Sequence, residues 1–124
     1  MKRLILLTII LTAGAVTGRI AAQDAASVSK RANQQYVLFE SERDKGTNIT
    51  AMYDYLLESY VNFIKIVEAP DNGQYLEGAK NRLRSLYPYL LNGAVYYSEQ
   101  KQPAKALDFA SAYICLLYTS DAAD

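Results

Sequence analysis

The chain has 124 residues, 51% of them hydrophobic, with thirteen basic and thirteen acidic side chains and no net charge. That composition suits one small domain, and it lacks the basic footprint that nucleic-acid binding requires. With no His and one Cys, Cys115, it offers no Cys/His metal site, no internal disulfide and no His-based acid–base chemistry. No cofactor is expected. Eleven Tyr and no Trp favour helix surfaces half buried against neighbours, because Tyr has an apolar body and a polar tip.

Met1-Lys2-Arg3 followed by an apolar run and small residues reads as a signal peptide over residues 1–22, with cleavage after Ala22. Val16-Thr17-Gly18 is a second cleavage point. The rival reading is an uncleaved membrane anchor, for which the apolar run is near the lower limit of ~17–25 residues. The expected location is the periplasm or another exported compartment, with membrane contact only through this segment.

Residues 23–114 read as a helical domain. Asp24 caps a first helix running to about Arg43, with Val28, Ala32, Tyr36 and Phe39 on one stripe and Gly46 ending it. Glu40 and Asp44 are the carboxylates a catalytic reading would use, yet no base or nucleophile stands near them in sequence. Thr47 or Asn48 starts a second helix to about Glu68, in which Ile49, Met52, Tyr53, Leu56, Tyr60, Phe63, Ile64 and Val67 recur at three and four. Asn48-Ile49-Thr50 also matches a glycosylation sequon, and a helix cap accounts for it. The run from Ala69 to Gly73 has turn chemistry.

A third helical run begins near Gln74 and carries Leu76, Ala79, Leu83, Leu86, Leu90, Ala94 and Tyr97 on its stripe. Pro88 either kinks this helix or separates two. Lys80, Arg82 and Arg84 do not share one face, so they read as a solvated group rather than an anion site. After a turn at Gln100 to Gln102, Pro103 opens a last helix with Ala106, Leu107, Ala110, Tyr113 and Ile114 expected inward.

Ala94, Tyr97, Ala106, Ala110 and Tyr113 fall where two antiparallel helices need small and large contacts. In this spacing the segment at about residues 87–114 resembles one tetratricopeptide unit. The family's usual Trp is absent, and Ala110 stands where an aromatic is commoner. The resemblance implies an all-α fold of antiparallel helical hairpins, part of a tetratricopeptide-like α-solenoid. It also implies a non-enzymatic scaffold that binds a protein or peptide, and a repeat helix starting near Tyr87. The groove-facing positions it implies are Leu91, Val95, Ser98 and Glu99. The family's clamp for chaperone carboxyl termini has Lys or Arg and Asn at two of these positions, which Leu91 and Val95 occupy here. Packing of Leu91 and Val95 against a further helix is the plain alternative.

The Met-Lys-Arg start, the Ala22-Gln23-Asp24 junction and the Tyr-rich helices resemble envelope proteins of Bacteroides-type bacteria. Residues 115–124, CLLYTSDAAD, resemble the translated read-through of a transposase-type sequencing adapter, a scar of metagenomic assembly. On that reading Cys115 is non-native, the natural chain continues past Ile114, and residues 23–114 self-associate through an uncovered face. The alternatives are an amino-terminal helical module of a larger enzyme or signalling protein, and a membrane-anchored helix bundle.

Overall fold

A computed structural model describes residues 22–69 and 72–123, with side chains described for 24–69 and 72–117. The expected signal segment lies outside the described residues except for Ala22. Four α-helices and one 3₁₀ turn follow in order, and no strand occurs among the described residues: α1 (Ala22–Lys45), α2 (Ile49–Glu68), the turn Gly73–Tyr75, α3 (Leu76–Glu99) and α4 (Pro103–Ala123). The fold is therefore all-α, as the three–four periodicity requires.

Local chemistry sets the boundaries. Gly46 takes φ +66, and its N–H donates to the Glu42 carbonyl at 2.9 Å, closing α1 with a left-handed residue that glycine adopts without strain. Asn48 caps α2 by accepting the Ala51 N–H at 3.0 Å. Ala69 is extended, with ψ 134, as the residue before a proline prefers. Between α3 and α4, Gln102 N–H donates to the Tyr97 carbonyl at 2.9 Å and Lys101 N–H to the Ser98 carbonyl at 3.1 Å. This is the paired closure of a Schellman motif, with Lys101 at φ 59 where glycine is usual.

Two expectations are corrected. Pro88 neither ends nor starts a helix, and α3 runs through it from Leu76 to Glu99. A helix start near Tyr87 is therefore not observed. Pro88 is exposed, so the carbonyl it leaves unpaired can meet water. Leu86 and Leu90 on either side are fully buried, and burying a leucine contributes ~1.5–3 kcal/mol. Two such anchors offset the ~3 kcal/mol that an interior proline costs.

The inward face of α4 is also rotated from expectation. Phe109, Ala112 and Leu116 are buried, whereas Leu107 and Ile114 are 65% and 50% exposed. The reason lies opposite on α3. Gly93 leaves room for the Phe109 ring, which stacks on Tyr97 at 5.5 Å between centroids and meets Tyr53 edge-on at 5.5 Å. That large aromatic sets the helix rotation, and the small Ala106 and Ala110 come only half inside.

Each helix packs on its neighbour in the chain, and α1 and α4 share no extensive interface. The core runs through Phe39, Leu56, Phe63, Ile66, Leu86, Leu90 and Tyr97. The two hairpins recur. α1 ends at Lys45 and α3 at Glu99, while α2 begins at Ile49 and α4 at Pro103, an interval of 54 residues in both cases. Burial recurs with them: Ala25, Ala32, Tyr36 and Phe39 correspond to Ala79, Leu86, Leu90 and Gly93 at the same interval. Leu56, Ser59 and Phe63 correspond to Phe109, Ala112 and Leu116 at an interval of 53.

Candidate functional site

Leu91, Val95, Ser98 and Glu99 are all exposed on α3, Leu91 by 44% and Val95 by 51%. Their spacing of four, three and one keeps them within one side of the helix. The sides of α3 that meet its neighbours carry other residues. Arg82 and Tyr89 reach α1, where the Arg82 Nε donates to Asn33 Oδ1 at 3.3 Å and its guanidinium lies 4.3 Å from the Tyr36 ring centroid. Tyr89 meets the Phe39 ring edge-on at 5.2 Å. Toward α4, Tyr87 stacks on Tyr113 at 4.6 Å, and Gly93 and Tyr97 meet Phe109. Helical spacing thus leaves the four candidates on a solvent-facing side of α3, held by interfaces on its other sides.

The other candidates have structural roles. Arg43 pairs with Glu40 at 3.9 Å and Asp44 at 3.2 Å, exposed pairs of the kind that contribute ~0–1 kcal/mol. The same guanidinium lies 5.6 Å from the Phe39 centroid and 5.7 Å from that of Tyr89, joining α1 to α3. The basic group disperses: Arg82 turns to α1 while Arg84 donates to Asn81 Oδ1 at 2.7 Å. Among the described residues no three Cys, Asp or Glu converge as a metal site requires, and no helix is long and apolar enough to cross a membrane.

Sequence reasoning missed a polar network between α1 and α2. Gln35 Nε2 donates to Glu58 Oε2 at 2.9 Å, and Asn62 Nδ2 donates to Gln35 Oε1 at 2.6 Å. One turn away, Ser59 Oγ donates to the Ala32 carbonyl at 3.2 Å. Gln35, Ser59 and Asn62 are buried, and each has a partner, as buried polar groups need. The signal was available, because Ser59 and Asn62 interrupt the apolar stripe at inward spacing. Beside them a shallow groove of about 510 Å³ runs past Arg31, Asp54 and Lys65. Its charges are mixed and its polar amides are already occupied by one another.

Three side chains on α2 and α3 have raised pKa values. Burial raises the Tyr53, Tyr60 and Tyr97 hydroxyls above the ordinary phenol value, helped at Tyr60 by a hydrogen bond with Cys115. The Tyr97 hydroxyl is buried without a hydrogen-bond partner. These shifts come from packing, and none is paired with a base that would make a nucleophile.

No family model matches the chain, and neither a curated protein nor a solved structure resembles it significantly. The tetratricopeptide resemblance therefore rests on its five residues. Of these, Tyr97 is buried and Ala94, Ala106, Ala110 and Tyr113 are half-buried. The hairpin interval of 54 residues is longer than the family's 34.

Proposed function

We propose that this protein is an exported, non-enzymatic helical-hairpin scaffold of a bacterial envelope, whose α3 surface binds another protein or peptide. The observation that carries this reading is the pair Leu91 and Val95, large apolar side chains about half exposed on a helix with packed neighbours. Exposed apolar groups on a rigid support suit recognition because little conformational freedom is lost on binding. Ser98 and Glu99 beside them add polar selectivity, and the carboxylate favours a partner with a cationic group. Export rests on the Met1 to Ala22 pattern alone.

A photo-reactive side chain at Val95 of the full chain, expressed in a bacterial envelope, should cross-link one defined partner. Ser98→Lys with Glu99→Lys should reduce that adduct at least tenfold while leaving helicity unchanged. Equal adduct yield in the charge-reversed variant would remove α3 as the binding face. Retention of the chain in the cytoplasmic fraction would separately defeat export.

A further inference from the structure

Two of the six asparagines in the chain stand directly before glycine, Asn72 and Asn92. Such a step carries its own reactivity. The peptide nitrogen after the asparagine can attack the side-chain amide carbon, and glycine has no Cβ to obstruct the approach. The fold gives the two steps different surroundings. Asn92 lies inside α3, where helix geometry commits the Gly93 N–H to the carbonyl four residues back. Gly93 also sits close against the Phe109 ring, so attack there requires the helix to open where the core holds it shut. Asn72 lies in the α2–α3 connection, just before the 3₁₀ turn Gly73–Tyr75. Gly73 opens that turn, so its N–H has no partner within it. A Cβ added to Gly73 would meet nothing within 4 Å, which leaves the flank of this step open. The Asn72 carboxamide is held by Nδ2 donating to the Val67 carbonyl at 3.4 Å, longer than the usual ~2.7–3.2 Å. Turning the Asn72 ψ away from its −20 breaks one further bond, the Tyr75 N–H donating to the Asn72 carbonyl at 2.7 Å.

We propose that Asn72 is a self-modification site, at which the connection between the two hairpins converts with time to aspartate and isoaspartate. The Gly73 nitrogen bonds to Asn72 Cγ and gives up its proton, and the amide nitrogen leaves as ammonia. A five-membered succinimide results. Water then adds to one of its two carbonyls, and the ring C–N bond on that side breaks. Opening at the side-chain carbonyl gives aspartate, and opening at the main-chain carbonyl gives isoaspartate. No electrons are exchanged, and water is the only co-reactant. In isoaspartate the main chain runs through Cβ, one methylene longer, with the α-carboxylate as a side group. The carbonyl that the Tyr75 N–H now meets is then no longer in the main chain. Tyr75 packs against the core and the turn meets α1, so conversion loosens the start of α3. Either product also replaces the Nδ2 donor facing the Val67 carbonyl with an anion. This inference is independent of the α3 binding surface, because it uses none of the four α3 residues.

Ageing the purified full chain at physiological temperature, in neutral buffer made with water enriched in heavy oxygen, tests it. Peptide mapping by mass spectrometry should find solvent oxygen at position 72 at least tenfold sooner than at position 92, because only the second must open a packed helix first. In denaturant the two positions should convert at similar rates. Labelling with an isoaspartate methyltransferase should report the isomerised product in the same peptide. Asn72→Gln, whose ring would need six members, should abolish conversion at this position. The aged chain should melt several degrees below the fresh one, and the aged Asn72→Gln chain should not. An intact Asn72 in the aged folded chain overturns the inference, as does conversion at Asn92 that keeps pace with it. A fully converted chain that melts with the fresh one overturns the part assigned to the connection.

Discussion

Gly93 is where the α3–α4 packing can be tested most sharply. A Cβ built on it would lie 2.6 Å from the Phe109 Cδ1 and 3.0 Å from both Cε1 and Cγ. Carbon contacts settle at ~3.5–4.0 Å, so three ring atoms would have to move. The ring has little freedom to do so, stacked on Tyr97 and edge-on to Tyr53. Overpacking of this kind costs ~1–3 kcal/mol, whereas replacing a helical glycine by alanine gains ~0.8–1.0 kcal/mol. Gly93→Ala should therefore be destabilising by up to ~2 kcal/mol. Gly78 supplies the internal reference, since it is also in α3 and nothing stands within 4 Å of its added Cβ. Gly78→Ala should stabilise by up to ~1 kcal/mol, from propensity alone. The gap between the two variants isolates the steric cost, and each kcal/mol moves the melting temperature by ~4–8 °C in a domain near this size. Adding Phe109→Ala should convert Gly93→Ala from harmful to neutral or favourable in a double-mutant cycle. If Gly93→Ala stabilises as much as Gly78→Ala, the close approach of α3 and α4 at this point is wrong.

Four other outcomes are expected. Leu56 is fully buried, so Leu56→Ala should cost ~2–5 kcal/mol by chemical denaturation, and an unchanged midpoint would remove it from the core. Tyr97→Phe deletes a buried hydroxyl without a partner and should leave stability equal or raise it by about 1 kcal/mol; a loss of that size would mean the hydroxyl is bonded. Lys101→Gly should stabilise by ~1 kcal/mol, because φ 59 is strained for a side chain and free for glycine, and a lower melting temperature would refute that turn geometry. For Tyr53, Tyr60 and Tyr97 the folded pKa is raised, so the folded state holds protons that the unfolded state loses first. Their contribution is complete below the ordinary phenol value near 10 and is lost as pH rises above it; unfolding midpoints equal at pH 8 and pH 11 would contradict this.

The boundaries were legible because single residues decide them: Gly46, Asn48 and Pro103 each act through their own backbone chemistry. Position within a helix was harder to read. Proline signals a break locally, yet the burial of Leu86 and Leu90 in the core shared with the other helices holds α3 together across Pro88. The face of α4 is not legible in its small alanines, because the packing is decided by Phe109 against Gly93, two residues 16 positions apart. Leu91, Val95, Ser98 and Glu99 follow only from the tetratricopeptide resemblance as groove positions, and the structure shows them exposed on α3. The Gln35–Glu58–Asn62 network is only half legible in the sequence, because a polar residue at inward spacing looks like a defect until its partner on the other helix is known. The recurrence of the hairpins is one of burial and not of residue identity, with Ala32 matched by Leu86 and Tyr36 by Leu90, so comparing letters does not reveal it.

An arrangement in which each helix packs chiefly on its neighbours in the chain, with α1 and α4 sharing no extensive interface, has a consequence for how the molecule opens. Opening α1 leaves the α3–α4 contacts in place, and opening α4 leaves α1 on α2. The two ends can therefore fray separately, while α2 and α3 can lose their order only when most of the core goes with them. Amide exchange should grade accordingly. Protection should be greatest around Leu56, Phe63, Leu86 and Leu90, and should fall outward along the chain in both directions.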